Sequence, residues 1–252
     1  SNVYLMRQFF IKFPIFQTLS GKLSWSHYAE LLGVTDDNSR DFYLKQSEND
    51  SWSVRELKRQ INSSLFQRLA LSKDKAGIIE LSKQGIKLAE PRDLVKDPYV
   101  LEFLNINEEL RMTESSLEQK IIDNLQVFLL ELGKGFSFVG RQYRITIGSE
   151  HFYVDLVFYH RILKCFVVID LKTRHVKHHD IGQMNLYLNF FKKEENTEND
   201  NAPIGIVLGA DKDDILVEYA IGGISNHIFI SKYQLYLPDK RELENKVKEL
   251  ID

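Results

Sequence analysis

The stretch that most constrains this chain is "CFVVIDLKTR", residues 165–174. Residues 165–171 read as a strand covered on both faces, yet Asp170 lies inside the run and Lys172 follows two positions on. Residues two apart on a strand share a face. Phe166, Val168, Asp170 and Lys172 therefore fall on one side, with Val167, Ile169 and Leu171 on the other. A buried charge costs several kcal/mol, roughly, unless it is paired or holds a metal. The fold must supply one of those two remedies.

The preceding run "HFYVDLVFYH" has the same character. Alternation puts Phe152, Val154, Leu156 and Phe158 on one face, and Tyr153, Asp155, Val157 and Tyr159 on the other. The short link "RILK" predicts an antiparallel hairpin that brings Asp155 towards Asp170 and Lys172. Two carboxylates and an ammonium on one side of a sheet fit two arrangements. In one, Asp170 and Lys172 form a buried ion pair and Asp155 takes backbone amides. In the other, a hard cation such as Mg2+ lies between the carboxylates, and Lys172 orients or activates a water beside a phosphate.

Around this hairpin the chain divides by pattern. Residues 1–112 predict a mainly helical domain and residues 113–252 a mixed sheet flanked by helices. In the first part "SWSVRELKRQINSSLFQRLALS" predicts one long helix, opened by a Ser53–Glu56 capping box, with an apolar stripe of Val54, Leu57, Ile61, Leu65, Phe66 and Leu69. Its polar face carries Arg55, Lys58 and Arg59, and Arg68 extends the basic character. Such a face either contacts a nucleic-acid backbone or is simply solvated. Trp25, Tyr28 and Trp52 read as core. "EPRDLVKDPYVLEFL" reads as a connector that packs against the domain. "TESSLEQKIIDNLQVFLLELG" predicts a second long helix, and the elements after it follow the order β-β-β-α-β-α-β.

Composition narrows the setting. The 252 residues carry a net charge of −3, so nucleic-acid binding must come from local patches rather than a global basic field. One cysteine, Cys165, excludes an internal disulfide and a cysteine zinc site, and the composition fits a reducing cytoplasm. No apolar stretch is long enough to span a bilayer. His175, His178 and His179 in "RHVKHHDIG" read as a solvated loop rather than a transition-metal site.

Asp155 followed by Asp170-Leu171-Lys172 resembles the PD-(D/E)XK nuclease signature. The blocks "LEQKIIDNLQVFLLELGKGFSFVGRQYRI", "DLVFYH", "CFVVIDLK", "GQMNLYL", "PIGIVL" and "VEYAI" resemble its bacterial YhcG-type branch, and "LSWSHY", "WSVRELKRQI" and "KDPYVLEFL" resemble the helical domain that accompanies it. The resemblance implies a restriction-endonuclease-like α/β (α+β) core and part of the helical domain lying upstream of Ser1. It implies an Mg2+- or Mn2+-dependent endodeoxyribonuclease acting in restriction, repair or defence against mobile DNA.

By the same resemblance Asp155 and Asp170 hold the metal with the Leu171 carbonyl, and Lys172 is catalytic. Glu118 matches the acid of the first core helix, although Ser115 and Glu118 are also spaced as a capping box. Gln183 and Tyr187 match a supporting Gln-x-x-x-Tyr on the following helix. Asp170 stands where many relatives have Glu, which shortens the reach by one methylene. The expected partner is nucleic acid, with a homodimer or a protein partner engaging the helical domain. The competing expectation is a non-catalytic binding or complex-assembling protein that keeps the fold.

Overall fold

The computed structural model describes residues 2–13, 21–106 and 112–251. In chain order the elements are α1 (Asn2–Lys12), α2 (Trp25–Leu32), α3 (Asp37–Asp50), α4 (Val54–Asn62), α5 (Leu65–Ala70) and α6 (Lys75–Gln84). Then come β1 (Tyr99–Val100), α7 (Glu114–Asp123), α8 (Leu125–Leu132), β2 (Phe136–Ile147), β3 (Glu150–His160) and β4 (Cys165–His175). The last are α9 (His178–Phe190), β5 (Ile204–Asp211), α10 (Asp214–Ile221), β6 (His227–Gln234) and α11 (Lys240–Ile251).

Two units form, Ser1–Lys87 with Leu237–Asp252, and Leu88–Tyr236. This partition differs from a division between residues 112 and 113. Residues 88–112 go with the sheet because β1 pairs in parallel with β6, at Tyr99–Tyr233 and Val100–Gln234, and Leu94, Leu101 and Leu104 enter that unit's core. The C-terminal helix goes the other way, with Val247 buried in the core of the helical unit. Among the described residues no helix is long and apolar enough to cross a membrane.

In the helical unit Tyr28, Leu31, Phe42, Tyr43, Leu57 and Phe66 are buried in one core, with Trp52 partly buried against it, whereas Trp25, expected in the core, is 40% exposed at the start of α2. The expected box at α4 is present: Glu56 N–H donates to Ser53 Oγ at 3.2 Å, and Ser53 N–H to Glu56 Oε2 at 2.5 Å. The single helix expected to continue through residue 72 instead breaks at Ser63–Ser64, where Ser64 is left-handed at φ 52°. The backbone groups freed by the break find partners. Tyr43 Oη donates to the Gln60 carbonyl and accepts from the Phe66 amide, both at 3.2 Å, and Arg68 Nε donates to the Ser63 carbonyl at 2.9 Å. Arg68 is thus buried, not part of an exposed basic face.

The other unit is a six-stranded sheet in the order β1-β6-β5-β4-β3-β2. β2, β3 and β4 are antiparallel, while β4, β5, β6 and β1 are parallel. One face packs Leu117 and Ile121 of α7 and Phe128 of α8 on Val167, Ile169 and Leu171. The other packs Ile181, Met184 and Leu188 of α9 on Val168 and Val207. α9 lies so close to β5 that a Cβ at Gly205 would fall 2.5 Å from Met184 Sδ.

Two expectations change here. The long helix 113–133 is interrupted at Asn124, whose side-chain amide donates to the Lys120 carbonyl at 2.9 Å and competes with the helical ladder. The alternation along β3 also inverts. Leu156 and Phe158 enter the core beneath α7 and α8, whereas Phe152 and Val154 join the core beneath α9. Up to Asp155 the ribbon β2–β3 is unpaired to β4, and two-stranded ribbons twist more than the body of a sheet.

His160 ends β3 fully enclosed, its Nδ1 accepting from Leu163 N–H at 3.1 Å and its Nε2 at 3.0 Å from the Lys134 carbonyl. Burial holds its pKa below the usual imidazole value. A depressed folded pKa means stability that is complete above the unfolded value, roughly 6.5, and lost as pH falls through the folded one.

Tyr43→Phe is expected to cost about 1–3 kcal/mol, because the buried Phe66 amide loses the Tyr43 hydroxyl, as does the Gln60 carbonyl, which keeps Ser63 Oγ; a urea-unfolding midpoint equal to wild type would contradict it. His160→Gln is expected to flatten the loss of thermal stability between about pH 7 and pH 5. Parallel pH–midpoint curves for the two proteins would show that His160 does not carry that dependence.

Candidate active site

The site forms where β3 and β4 part. Their last paired residues are Leu156 and Ile169, while β4 remains paired to β5 through Lys172–Gly209. Past Ile169, therefore, β4 has a strand on one side and only side chains on the other. Asp155 fills the gap: its Oδ2 accepts from Leu171 N–H at 2.8 Å, taking the role of a strand carbonyl. This fixes Asp155 against the backbone of the Asp170-Leu171-Lys172 segment.

Asp170 and Lys172 are 3% and 7% exposed, so their shared face is an interior one, as alternation predicts. Lys172 Nζ lies 2.7 Å from Asp170 Oδ2. Asp170 Oδ2 is fully enclosed, and the Lys172 ammonium is its charge partner. Burial pushes the Asp170 carboxyl up to about 7 against the pull of Lys172, and the Asp155 charge adds to the rise. For Lys172, desolvation is outweighed by Asp170, Glu114 and Asp155, which hold its ammonium above the usual range. Glu114 Oε2 is 3.7 Å away.

Glu118 reaches the same place from α7. Thr113, not Ser115, caps that helix, with Ser116 N–H donating to Thr113 Oγ1 at 3.2 Å, so Glu118 is free of the capping role. It is buried, and burial raises its carboxyl, partly offset by a hydrogen bond from Gln142 and raised again by Asp155. The Gln142 amide donates to Glu118 Oε2 at 2.5 Å and to Asp155 Oδ1 at 3.2 Å. Arg141 Nε stands 3.8 Å from Glu118 Oε1.

On α9, Gln183 Nε2 donates to Tyr187 Oη at 2.5 Å, and Tyr187 Oη donates to the Tyr153 carbonyl at 3.3 Å. Burial, with Asp170 and Asp155 nearby, pushes the Tyr187 hydroxyl up to about 12. Tyr187 therefore keeps its proton at neutral pH. The start of α9 is held by Arg174, which donates to both oxygens of buried Asp180 at 2.7 and 2.8 Å. Burial alone would raise Asp180, but Arg174 and the Lys177 amide hold it below the usual carboxylate range.

Asp155, Asp170, the Leu171 backbone, Lys172 and Glu118 thus come together, with Gln183 and Tyr187 beside them. Arg55, Lys58 and Arg59 belong to the helical unit; Arg55 and Lys58 are exposed, Lys58 Nζ lies 3.7 Å from Glu30 Oε1, and Arg59 is half-buried. The histidines do not share a partner: His175 Nδ1 is 3.3 Å from Asp211 Oδ2, His179 Nε2 is 3.3 Å from Asp180 Oδ1, and the His178 ring lies edge-on to His179 at 5.7 Å. Sequence reasoning missed Gln142, Glu114 and the Arg174–Asp180 pair. Gln142 lies in the family-like block at 117–145 but nothing in its local spacing gives it a role, and Arg174 and Asp180 are six apart across a strand end and a helix start.

Among the described residues no three His, Cys, Asp or Glu side chains already converge as a metal cage. The donor chemistry nevertheless suits a hard divalent cation. Three crowded carboxylates supply oxygens, and two of them, Asp170 and Glu118, are buried with their ionisation made costlier by Asp155.

The chain resembles known proteins over most of its length. Residues 92–248 match the YhcG PDDEXK nuclease domain, and residues 1–68 match the DUF1016 N-terminal domain. The Escherichia coli (strain K12) protein named "Putative nuclease YhcG" is 40% identical over 236 residues, which are 92% of this chain and 62% of that protein. The chain therefore spans less than two thirds of that relative's length. Among solved structures, a repair endonuclease from Pyrococcus abyssi is 21% identical at a TM-score of 0.36, covering 52% of this chain and 50% of that one. A complex of EndoMS with dsDNA is 21% identical at a TM-score of 0.35, covering 54% and 50%. Likeness at that level is weak and bears on nothing beyond fold. The long domain match does decide the family: this chain belongs to the YhcG family of PDDEXK nuclease-domain proteins.

Proposed function

We propose that this chain is a divalent-metal-dependent nuclease that hydrolyses DNA phosphodiester bonds, in restriction, repair or defence against mobile DNA. The observation that carries the reading is the crowding of three carboxylates, Asp155, Asp170 and Glu118, at the parting of two strands, with Asp170 and Glu118 buried and the Asp155 charge raising the pKa of both. The Lys172 ammonium, 2.7 Å from Asp170 Oδ2, offsets one of those charges and leaves the others to a cation.

Asp155, Asp170 and the Leu171 carbonyl would hold Mg2+ or Mn2+, with Glu118 as a further oxygen donor. Bound there, the cation supplies Lewis-acid polarisation of a phosphate oxygen and a more acidic water. The chain's own groups do the rest. Lys172 carries its proton under the influence of Asp170, Glu114 and Asp155, so its Nζ acts as a cation that donates to the attacking water or a phosphate oxygen. Gln183 and Tyr187 keep the face of α9 in place, with the Tyr187 proton directed to the Tyr153 carbonyl. In the hydrolysis, water oxygen bonds to phosphorus and the bond from phosphorus to the leaving oxygen breaks. One product keeps the phosphate and the other a hydroxyl.

The exposed Arg55 and Lys58 of the helical unit support a role in holding substrate backbone or a protein partner. Two cuts in a duplex would be made most simply by a homodimer.

Cleavage of plasmid, single-stranded and branched DNA with Mg2+ or Mn2+ is expected for the wild type, and none with EDTA. Asp170→Ala and Lys172→Ala, purified identically, are expected to fall by at least about a hundredfold, the scale of losing an electrostatic stabiliser. Equal cleavage by all three proteins would place the activity elsewhere.

A further inference from the structure

Gln142 stands out because nothing in the PD-(D/E)XK pattern calls for it, yet its backbone and side chain are both committed to the site. It sits opposite Asp155 in the β2–β3 ribbon, between the paired residues Arg141–Leu156 and Tyr143–Val154. Its φ is 46°, a left-handed conformation that a residue with a side chain adopts only at a cost. Glycine would take that conformation freely, so glutamine at this place needs a local return. The return is visible in its amide, which donates to Glu118 Oε2 at 2.5 Å and to Asp155 Oδ1 at 3.2 Å.

Those two carboxylates come from different elements and repel each other. An amide NH2 has two donors at a fixed angle and so can bridge two acceptors. We infer that Gln142 is a positioning residue that holds the carboxylates of Glu118 and Asp155 together, so that a divalent cation meets a preassembled pair of oxygen donors. The inference rests on the metal-dependent reading of the site. It adds that part of the metal affinity resides in a neutral side chain on β2. Partners of this kind, lying outside the ligand set, typically change metal affinity about 10–100-fold when removed.

The test is Mn2+ binding by titration calorimetry and by loss of the free-ion electron paramagnetic resonance signal, with no DNA present. The proteins are wild type, Asp170→Ala, Gln142→Gly and Gln142→Met. Gln142→Gly removes the amide and accepts the left-handed backbone, so its melting midpoint is expected within a few degrees of wild type. Gln142→Met keeps the length and removes the donors. Both are expected to bind Mn2+ about 10–100-fold more weakly, while Asp170→Ala shows no binding at the same concentrations. Wild-type affinity in folded Gln142→Gly and Gln142→Met, with Asp170→Ala deficient, would overturn the role of Gln142 and leave the metal site standing. Equal binding, or none, in all four proteins would overturn both readings. A melting midpoint lowered in Gln142→Gly with Mn2+ affinity unchanged would show that Gln142 only supports the fold.

Discussion

The site depends on one hydrogen bond, from Leu171 N–H to a side-chain oxygen of Asp155. In an unbroken antiparallel pair that amide would meet a carbonyl of the neighbouring strand. Here the part of β3 before Leu156 is not paired to β4, and a carboxylate replaces the carbonyl. The exchange satisfies a buried donor and at the same time brings a negative charge beside the segment that carries Asp170 and Lys172. Strand separation and charge placement are therefore one event. The twist of the β2–β3 ribbon, which carries Phe152 and Val154 over to the α9 side, is what makes it possible.

The electrostatics follow from that geometry. Asp170 and Glu118 are buried, and the charge of neighbouring Asp155 raises the cost of ionising both. Lys172 answers only part of this charge, since one ammonium faces several carboxylates, Asp170, Asp155 and Glu114 among them. Gln142 answers another part with a neutral amide. The remaining deficit is what a divalent cation with a preference for oxygen would supply. The Arg174–Asp180 pair is a contrast nearby. There both oxygens of a buried carboxylate meet a guanidinium and the group is stabilised in its charged form.

Much of this was legible in the sequence where a single period governs the element. On β4 the two-residue alternation placed Asp170 and Lys172 opposite Val167, Ile169 and Leu171, as the two cores show. The capping box at Ser53 and Glu56 was equally readable, because it is local. The misses share a cause, which is that distant groups or changes of twist intervene. Alternation along β3 assumes a constant twist and so could not foresee the inversion at Asp155. The helix break at Ser63–Ser64 is held by Tyr43, far back in the chain, and no local pattern announces it. Ser115 looked like the cap of α7 by spacing, but Thr113 takes that role and leaves Glu118 to the site. Gln142 was silent because neither its left-handed backbone nor its two acceptors can be read from its neighbours.

The central claim is that the parting of β3 and β4 builds a cation site from Asp155 and Asp170. The most direct measurement is a crystal structure of the protein grown with Mn2+, with the ion located by its anomalous scattering. The account predicts one strong peak bound by carboxylate oxygens of Asp155 and Asp170. A peak at the histidines of residues 175–179, or Asp155 and Asp170 still bound only to the Leu171 amide and Lys172 at saturating Mn2+, would contradict it.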